Sequence, residues 1–358
     1  KSEVCTTKQK IEKKDILRMS AAAVCVAAAF TGVGFGLKYM ESKRVVPQQQ
    51  VPYSSMEPTN VTAPIVATNL TAPTGFASDT SVLVIGDDTY QRNPNVKAYL
   101  FLGVDCDDPV RARPGRGGQA DTQLLLVVDA AAQTWQLLPI NRDTLTDVNV
   151  LGVLGDVLST ERQQIALAHA YGDGLRKSCR NAVKAVSHLL GDSPIEGYYA
   201  LNMGGISAVV DSIGGIEVTI PRDYTNLDPA FVEGAHLNLT GKQAYKLLRT
   251  RHGVDDQTNI ARMERQNLVL EAATKKLHTL SGNDCIVAFN AVSDYAVTDL
   301  GSAEILELKE LTDQYQQLPS LHIEGEAFLQ GEFMAFEPDA DSLQNAILQL
   351  FYTKKEMR

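Results

Sequence analysis

Residues 96–144 read VKAYLFLGVDCDDPVRARPGRGGQADTQLLLVVDAAAQTWQLLPINRDT, and the fold turns on this stretch. Val96, Ala98, Tyr99, Leu100, Phe101 and Leu102 make a short apolar run that stops at Gly103. Such a run, bounded by turn residues, suits a strand covered on both faces. Asp105, Asp107 and Asp108 follow at once, then a loop rich in Gly, Pro and Arg that carries Arg111, Arg113 and Arg116, then Asp121 and Thr122. A second apolar strand, Leu124 to Val128, turns through Ala130 to Gln133 and returns as Trp135 to Ile140, delivering Asn141, Arg142 and Asp143.

Carboxylates at the ends of adjacent buried strands, facing arginines, suit a site that holds a divalent cation and a phosphate ester together. Magnesium takes one or two carboxylates and completes its shell with water and phosphate oxygens. The planar fork of arginine donates two hydrogen bonds to a phosphate. Any one of these acids alone reads as a solvated loop charge; their clustering at strand ends favours the site.

Outward from this centre the chain alternates strand and helix. Ser81 to Ile85 is a short strand, and Asp87 and Asp88 are turn residues. Val148 to Leu158, interrupted by Gly152 and Gly155, reads as an inserted loop lining a groove. Leu175, Cys179, Ala182, Val183, Val186, Leu189 and Leu190 fall at helical spacing, so this helix packs on the sheet and its Lys and Arg residues form a solvated face. Gly197 to Asn202 reads as a strand, Met203 to Ile213 as a helix closed by Gly214 and Gly215, and Ile216 to Ile220 as a strand returning to the same sheet through a right-handed crossover.

Thr240 caps a helix that turns Ala244, Leu247 and Leu248 inward and ends near Arg249 and Arg251, where Gly253 suggests a stop. Arg262, Arg265 and Gln266 share one face of the next helix. The tail offers a helix around Ala303 to Leu311, strands near Leu321 to Ile323 and Phe333 to Phe336, and a last helix from Asp341 to Tyr352. The pattern predicts an α/β fold, a three-layer αβα sandwich with a central mixed β-sheet, preceded by one N-terminal transmembrane helix. No repeat, zinc spacing, nucleophile elbow or glycine-rich nucleotide loop is present.

The chain has 358 residues, 44% hydrophobic, which allows a sizeable core. Its net charge of −10, from 43 acidic and 33 basic residues, argues against a general nucleic-acid binder, so phosphate recognition must come from a local arginine cluster. Met19 to Leu37 contains no charged residue and matches the ~20 residues that cross a bilayer as a helix. Lys8, Lys10, Lys13, Lys14 and Arg18 precede it, which places the N-terminus in the cytoplasm and the bulk outside. A cleaved signal peptide is the competing reading; the length of the uncharged run and Lys38 directly after it favour a retained anchor. The expected division is a cytoplasmic tail over 1–18, the membrane helix over 19–37, an extended linker rich in Pro, Gln, Thr and Ser over 38–79, and the main domain over 80–358. Cys106, Cys179 and Cys285 fall outside the membrane and cannot all pair, which argues against a disulfide scaffold.

These residues also resemble a known family, the LytR-CpsA-Psr proteins of bacterial envelopes. The resemblance runs from about Val82 to the C-terminus and is carried by ordered motifs. They are Leu102 to Asp105, Gly118 to Thr122, Ile140 to Asp143, Ala168 to Gly172, Asp211 to Ile220, Leu248 to His252 and Arg262 to Gln266. It implies a membrane-anchored glycopolymer phosphotransferase that takes a polymer from a polyprenyl pyrophosphate carrier and attaches it to peptidoglycan or another wall acceptor. It also implies Mg2+ or Mn2+ on Asp105 and Asp121, a pyrophosphate clamp of Arg142, Arg249, Arg251 and Arg262, and substrate contacts from Gln119, Arg265 and Gln266. The sequence departs from the family pattern at Gln119 and Asp107, where arginine is usual, and at Asn259, where aspartate is expected. Two further readings therefore stand beside transfer: hydrolysis of the polyprenyl pyrophosphate, and a non-catalytic module that binds lipid phosphate or wall polymer.

Overall fold

The computed structural model describes residues 82–250, positions 265, 268, 269, 272, 273, 275 and 276, and residues 279–331 and 333–355. The expected tail, membrane helix and linker over 1–79 lie outside the described residues, as do Arg251, His252, Asn259, Arg262 and Gln266. Among the described residues no helix is long and apolar enough to cross a membrane.

In chain order the strands are β1 (Val82–Ile85), β2 (Asp88–Arg92), β3 (Val96–Val104), β4 (Ala120–Asp129), β5 (Thr134–Ile140), β6 (Leu145–Leu151) and β7 (Val157–Gln164). Beyond them come β8 (Gly197–Asn202), β9 (Ile216–Thr219), β10 (His236–Leu239), β11 (Ala296–Thr298), β12 (Gln316–Gln317), β13 (Gly325–Gln330), β14 (Phe333–Pro338) and β15 (Tyr352–Lys354). The described α-helices are α1 (Leu167–Ala170), α2 (Arg176–Leu189), α3 (Ile206–Ser212), α4 (Gly241–Arg249), α5 (Gly282–Ala291), α6 (Ser302–Gln314) and α7 (Ala340–Phe351).

Six strands form the central sheet in the order β11-β8-β3-β4-β5-β12. β3 runs parallel to β8 and antiparallel to β4, so the sheet is mixed as expected. Alternation along each strand sorts side chains onto two faces. Leu100, Leu102, Leu125, Val127 and Leu138 belong to one core with Cys179, Ala182 and Val186 of α2 and Ile347 and Leu350 of α7. Phe101, Leu124, Leu126, Trp135 and Leu137 belong to the other, with Val209 of α3, Leu247 of α4, Ala288 of α5 and Leu308 of α6. Helices on both sides complete the three layers. Leu100 and Leu125 are fully buried, and truncating either to alanine costs about 2–5 kcal/mol. Trp135 ties the sheet edge to α6 by donating from Nε1 to the carbonyl of Thr312 at 3.1 Å.

Three expectations are corrected. Val148 to Leu158 is not a loop but most of a hairpin, β6 paired with β7, because Gly152 to Asp156 supplies the turn. Ile216 to Thr219 does not return to the central sheet: β9 pairs with β10 in a separate two-stranded sheet, so the crossover does not form. Leu321 to Ile323 is not a strand; the backbone N–H of Leu321 does donate to Leu137, while the short edge strand is β12. Cys106, Cys179 and Cys285 are free thiols.

Candidate functional site

The site assembles at one end of β3, β4 and β5, where a bulge aims Asp121. Gly103 opposes Thr122 and Val104 opposes Ala120, so Asp121 is the extra residue on β4. Such bulges re-aim side chains at the rims of sheets. The chain enters β4 through Gly118, at φ +81°, where an added Cβ would lie 2.9 Å from Val104. Only glycine takes this backbone at no steric cost. The backbone of Asp105 then donates to the carbonyl of Gln119 at 2.9 Å, joining the first aspartate to the second across the loop.

Arg142, delivered by β5, is the hub of this half. It donates to Asp121 at 2.5 Å and to Oε1 of Gln119 at 2.6 Å, and its Nε lies 3.4 Å from Asp143. Burial pushes the Asp121 carboxyl above its ordinary range; the charge of Arg142 opposes that, while Asp105 and Asp143 add to it. Asp143 is also raised by burial, against the pull of Arg142. One arginine thus faces two carboxylates, Asp121 and Asp143. Beneath this half His169, 1% exposed, places Nδ1 2.9 Å from the carbonyl of Gly118. Burial lowers its pKa, which favours the neutral ring.

The other half rests on α4. Thr240 caps this helix and forms a capping box with Gln243. At the far end Arg249 reaches Asp105 at 2.9 Å and Asp107 at 2.7 Å, and lies 3.6 Å from the sulfur of Met203. Partial burial works against its charge, but Asp107 and then Asp105 outweigh it and hold the guanidinium firmly protonated. Tyr245 joins this group, its phenol pushed up by burial and by Asp107. The acidic loop can approach because residue 204 is glycine: a Cβ there would lie 1.9 Å from the carbonyl oxygen of Asp107. Arg113 pairs with Asp108 and donates to the Cys106 sulfur at 3.1 Å, so Cys106 is engaged with the loop.

Arg265, expected to touch substrate, is 2% exposed and serves the helix instead. It donates to the carbonyls of Leu247 at 3.2 Å and Thr250 at 2.6 Å, and lies over the ring of Tyr224. Its charge stabilises the negative end of α4 and holds the turn that carries Arg249.

Residues 67–351 match the LytR_cpsA_psr family. The chain belongs to that family. It is 27% identical over 235 residues to the polyisoprenyl-teichoic acid–peptidoglycan teichoic acid transferase TagU of Enterococcus faecalis, covering 65% of this chain and 71% of that one. The enzyme of the same name from Bacillus cereus strain AH820 is 26% identical over 249 residues, 68% of this chain and 74% of its own. The crystal structure of TagV from Bacillus subtilis shares the fold, with a TM-score of 0.52 at 22% identity over 72% of this chain and 96% of that one.

Of the sequence-designated residues, the structure brings Asp105, Gln119, Asp121, Arg142 and Arg249 together and sets Arg265 behind them. Asp107, Asp143 and Tyr245 are members that the sequence reading did not designate. Asp107 stood there as one of the acids of the loop after β3 and as a departure from the family pattern, without a role of its own. Asp143 was visible solely as the neighbour of Arg142.

Proposed function

We propose that this member of the family transfers a glycopolymer from a polyprenyl diphosphate carrier to peptidoglycan or another wall acceptor, with Mg2+ or Mn2+ bound between Asp105 and Asp121. The observation that carries the reading is the opposition of two arginine–carboxylate groups, Arg142 with Asp121 and Arg249 with Asp105, across one sheet end. The relatives named as teichoic acid transferases support it, and suggest an anionic polymer and a peptidoglycan acceptor. Residues 19–37 anchor the chain with its N-terminus in the cytoplasm and the domain outside.

The donor set fits a divalent cation. No group of three or more His, Cys, Asp or Glu residues among the described residues is arranged as a self-sufficient metal cage. Magnesium needs none, since one or two carboxylates and phosphate oxygens suffice. The repulsion of Asp105 that helps raise Asp121 is what a cation between them relieves. When bound, the ion neutralises charge that develops on the diphosphate.

The chain's own residues supply alignment and charge, which dominate phosphoryl transfer. Arg142 is pre-oriented by Asp121, Gln119 and Asp143, so little side-chain freedom is lost when it turns to a phosphate. Arg249, held by Asp105 and Asp107, approaches from the other side. An acceptor hydroxyl attacks the glycan-linked phosphorus, the phosphoanhydride bond breaks, and polyprenyl monophosphate leaves. Asp143, with its raised pKa and its place beside Arg142, is the carboxylate suited to take the hydroxyl proton.

The full chain, reconstituted with magnesium, a polyprenyl diphosphate-linked glycan and an acceptor glycan, tests the reading. Acceptor-dependent release of polyprenyl monophosphate is expected, and Asp121→Ala abolishes it while the protein stays folded. Release without acceptor establishes hydrolysis instead, and undiminished transfer by the variant refutes the site.

A further inference from the structure

The tip of the β6–β7 hairpin, its turn and the first residues of β7, carries apolar side chains exposed to solvent. Val153, Leu154, Val157 and Leu158 are 77%, 84%, 52% and 67% exposed. Beside the turn runs α2. Lys177 donates from Nζ to the carbonyl of Leu154 at 2.5 Å, and a Cβ on Gly155 would lie 2.5 Å from the Lys177 chain. Arg176, Lys177, Arg180 and Lys184 all lie on the exposed side of α2, opposite the face that carries Cys179, Ala182 and Val186 into the core. The loop with Arg111 and Arg116 packs against residues 172–174 at the start of the same helix, through the backbone of Arg113 to Asp173 and of Gly115 to Gly172.

Arg116, Arg176, Arg180 and Lys184 have no carboxylate partner among the described residues. The acid in the turn, Asp156, lies against Gly152, and Asp147 and Asp192 face His188 at the other end of α2. An apolar knuckle beside unpaired cations is therefore displayed on a chain whose net charge is −10. The β13–β14 hairpin also exposes apolar residues, Leu329 and Phe333, but its neighbour Arg162 is already paired with Glu337.

We propose that the β6–β7 turn and the basic face of α2 form a docking surface for an anionic phospholipid bilayer, with Val153, Leu154, Val157 and Leu158 entering the interface and the cations resting on the headgroup phosphates. Large exposed apolar side chains mark an interaction surface, and flanking Lys and Arg select an anionic membrane over a neutral one. Lysine stems extend along apolar surface while their ammonium groups stay in the polar layer. The chain as a whole carries a net charge of −10, which anionic lipid repels, so a local run of cations is needed for a face to approach it. The base of the hairpin is Leu145, three residues after Arg142, so docking fixes the bearing of the diphosphate site to the bilayer. The surface goes beyond the transfer reading and stands or falls independently of it.

The single tryptophan, Trp135, is 1% exposed, which makes an introduced tryptophan a clean reporter. The full chain carrying Leu154→Trp is reconstituted into phosphatidylglycerol vesicles with brominated or ordinary acyl chains, and into the matching phosphatidylcholine pair. A blue shift and bromine quenching are expected on phosphatidylglycerol, with little of either on phosphatidylcholine. Val287→Trp, on α5 across the sheet and 57% exposed at present, stays unquenched. Each cation removed weakens docking roughly fivefold, so Arg180→Gln with Lys184→Gln suppresses the quenching, as does raised ionic strength. Equal spectra on brominated and ordinary phosphatidylglycerol, or equal quenching at 154 and 287, overturn the proposal. So does a blue shift produced by soluble poly(glycerol phosphate) and not by vesicles, which would make the occupant a wall polymer.

Discussion

Two arginine–carboxylate groups face each other in this site and are built in different ways. Asp121 sits at the bulge of β4 and Arg142 in the turn just past the end of the neighbouring β5, with Gln119, Asp143 and buried His169 around them. Arg249 stands on the last residue of a nine-residue helix and reaches across to Asp105 and Asp107 in a loop. The first group inherits its geometry from the sheet. The second depends on whatever holds both ends of α4: the capping box at Thr240 and the buried guanidinium of Arg265. Rigid and adjustable halves of a clamp answer differently to perturbation.

The largest contrast is chemical. Arg142→Ala leaves Asp121 and Asp143 without their cation, and transfer should fall by about 10²–10³-fold, the range for removing one preorganised electrostatic group. Arg249→Lys keeps a charge but loses the fork shared by Asp105 and Asp107, so its transfer rate should lie between wild type and Arg142→Ala. Equal loss in both would erase the distinction.

A stability contrast comes next. Arg265→Met leaves the carbonyls of Leu247 and Thr250 without a buried donor, at a cost of about 2–3 kcal/mol. Hydrogen exchange should accelerate across residues 241–250 and remain unchanged across 120–129; acceleration of both would mean that the halves are one unit. The β4 side answers instead to pH. The pKa of His169 is lowered by burial in the folded state, so the unfolded chain binds the proton first as pH falls. Its contribution to stability is complete above about pH 6.5 and declines below it, by up to ~1.4 kcal/mol per pH unit, until the folded pKa is reached. Denaturant titrations of His169→Gln should show a flatter loss in that window. The smallest effect belongs to Thr240→Ala, which removes the cap of α4 for about 1 kcal/mol and should again register on 241–250 alone.

The same division explains what the sequence disclosed. Strands β3, β4 and β5 were legible because their apolar runs have strand length and end in turns, and α2 because Cys179, Ala182, Val186 and Leu189 repeat at the helical period. Thr240 announced its helix through cap chemistry. The partner of Ile216 to Thr219 was not legible, because a short apolar strand does not specify which sheet it joins. The turn between β6 and β7 was hidden because Gly152 and Gly155 signal a bend without saying whether the flanking strands pair. In the site, Asp105, Asp121 and Arg142 stood out at strand ends. The bulge that aims Asp121, the grip of Asp107 on Arg249 and the capping by Arg265 arise from contacts distant in sequence, which no local period encodes.

The most direct measurement is calorimetric titration of the detergent-solubilised full chain with a short-chain polyprenyl diphosphate, with and without magnesium, beside the Asp105→Asn and Asp121→Asn variants. Tight binding that needs magnesium in the wild type, and loses that dependence in either variant, is the result this site requires. Binding that ignores magnesium, or that both variants keep unchanged, would contradict it.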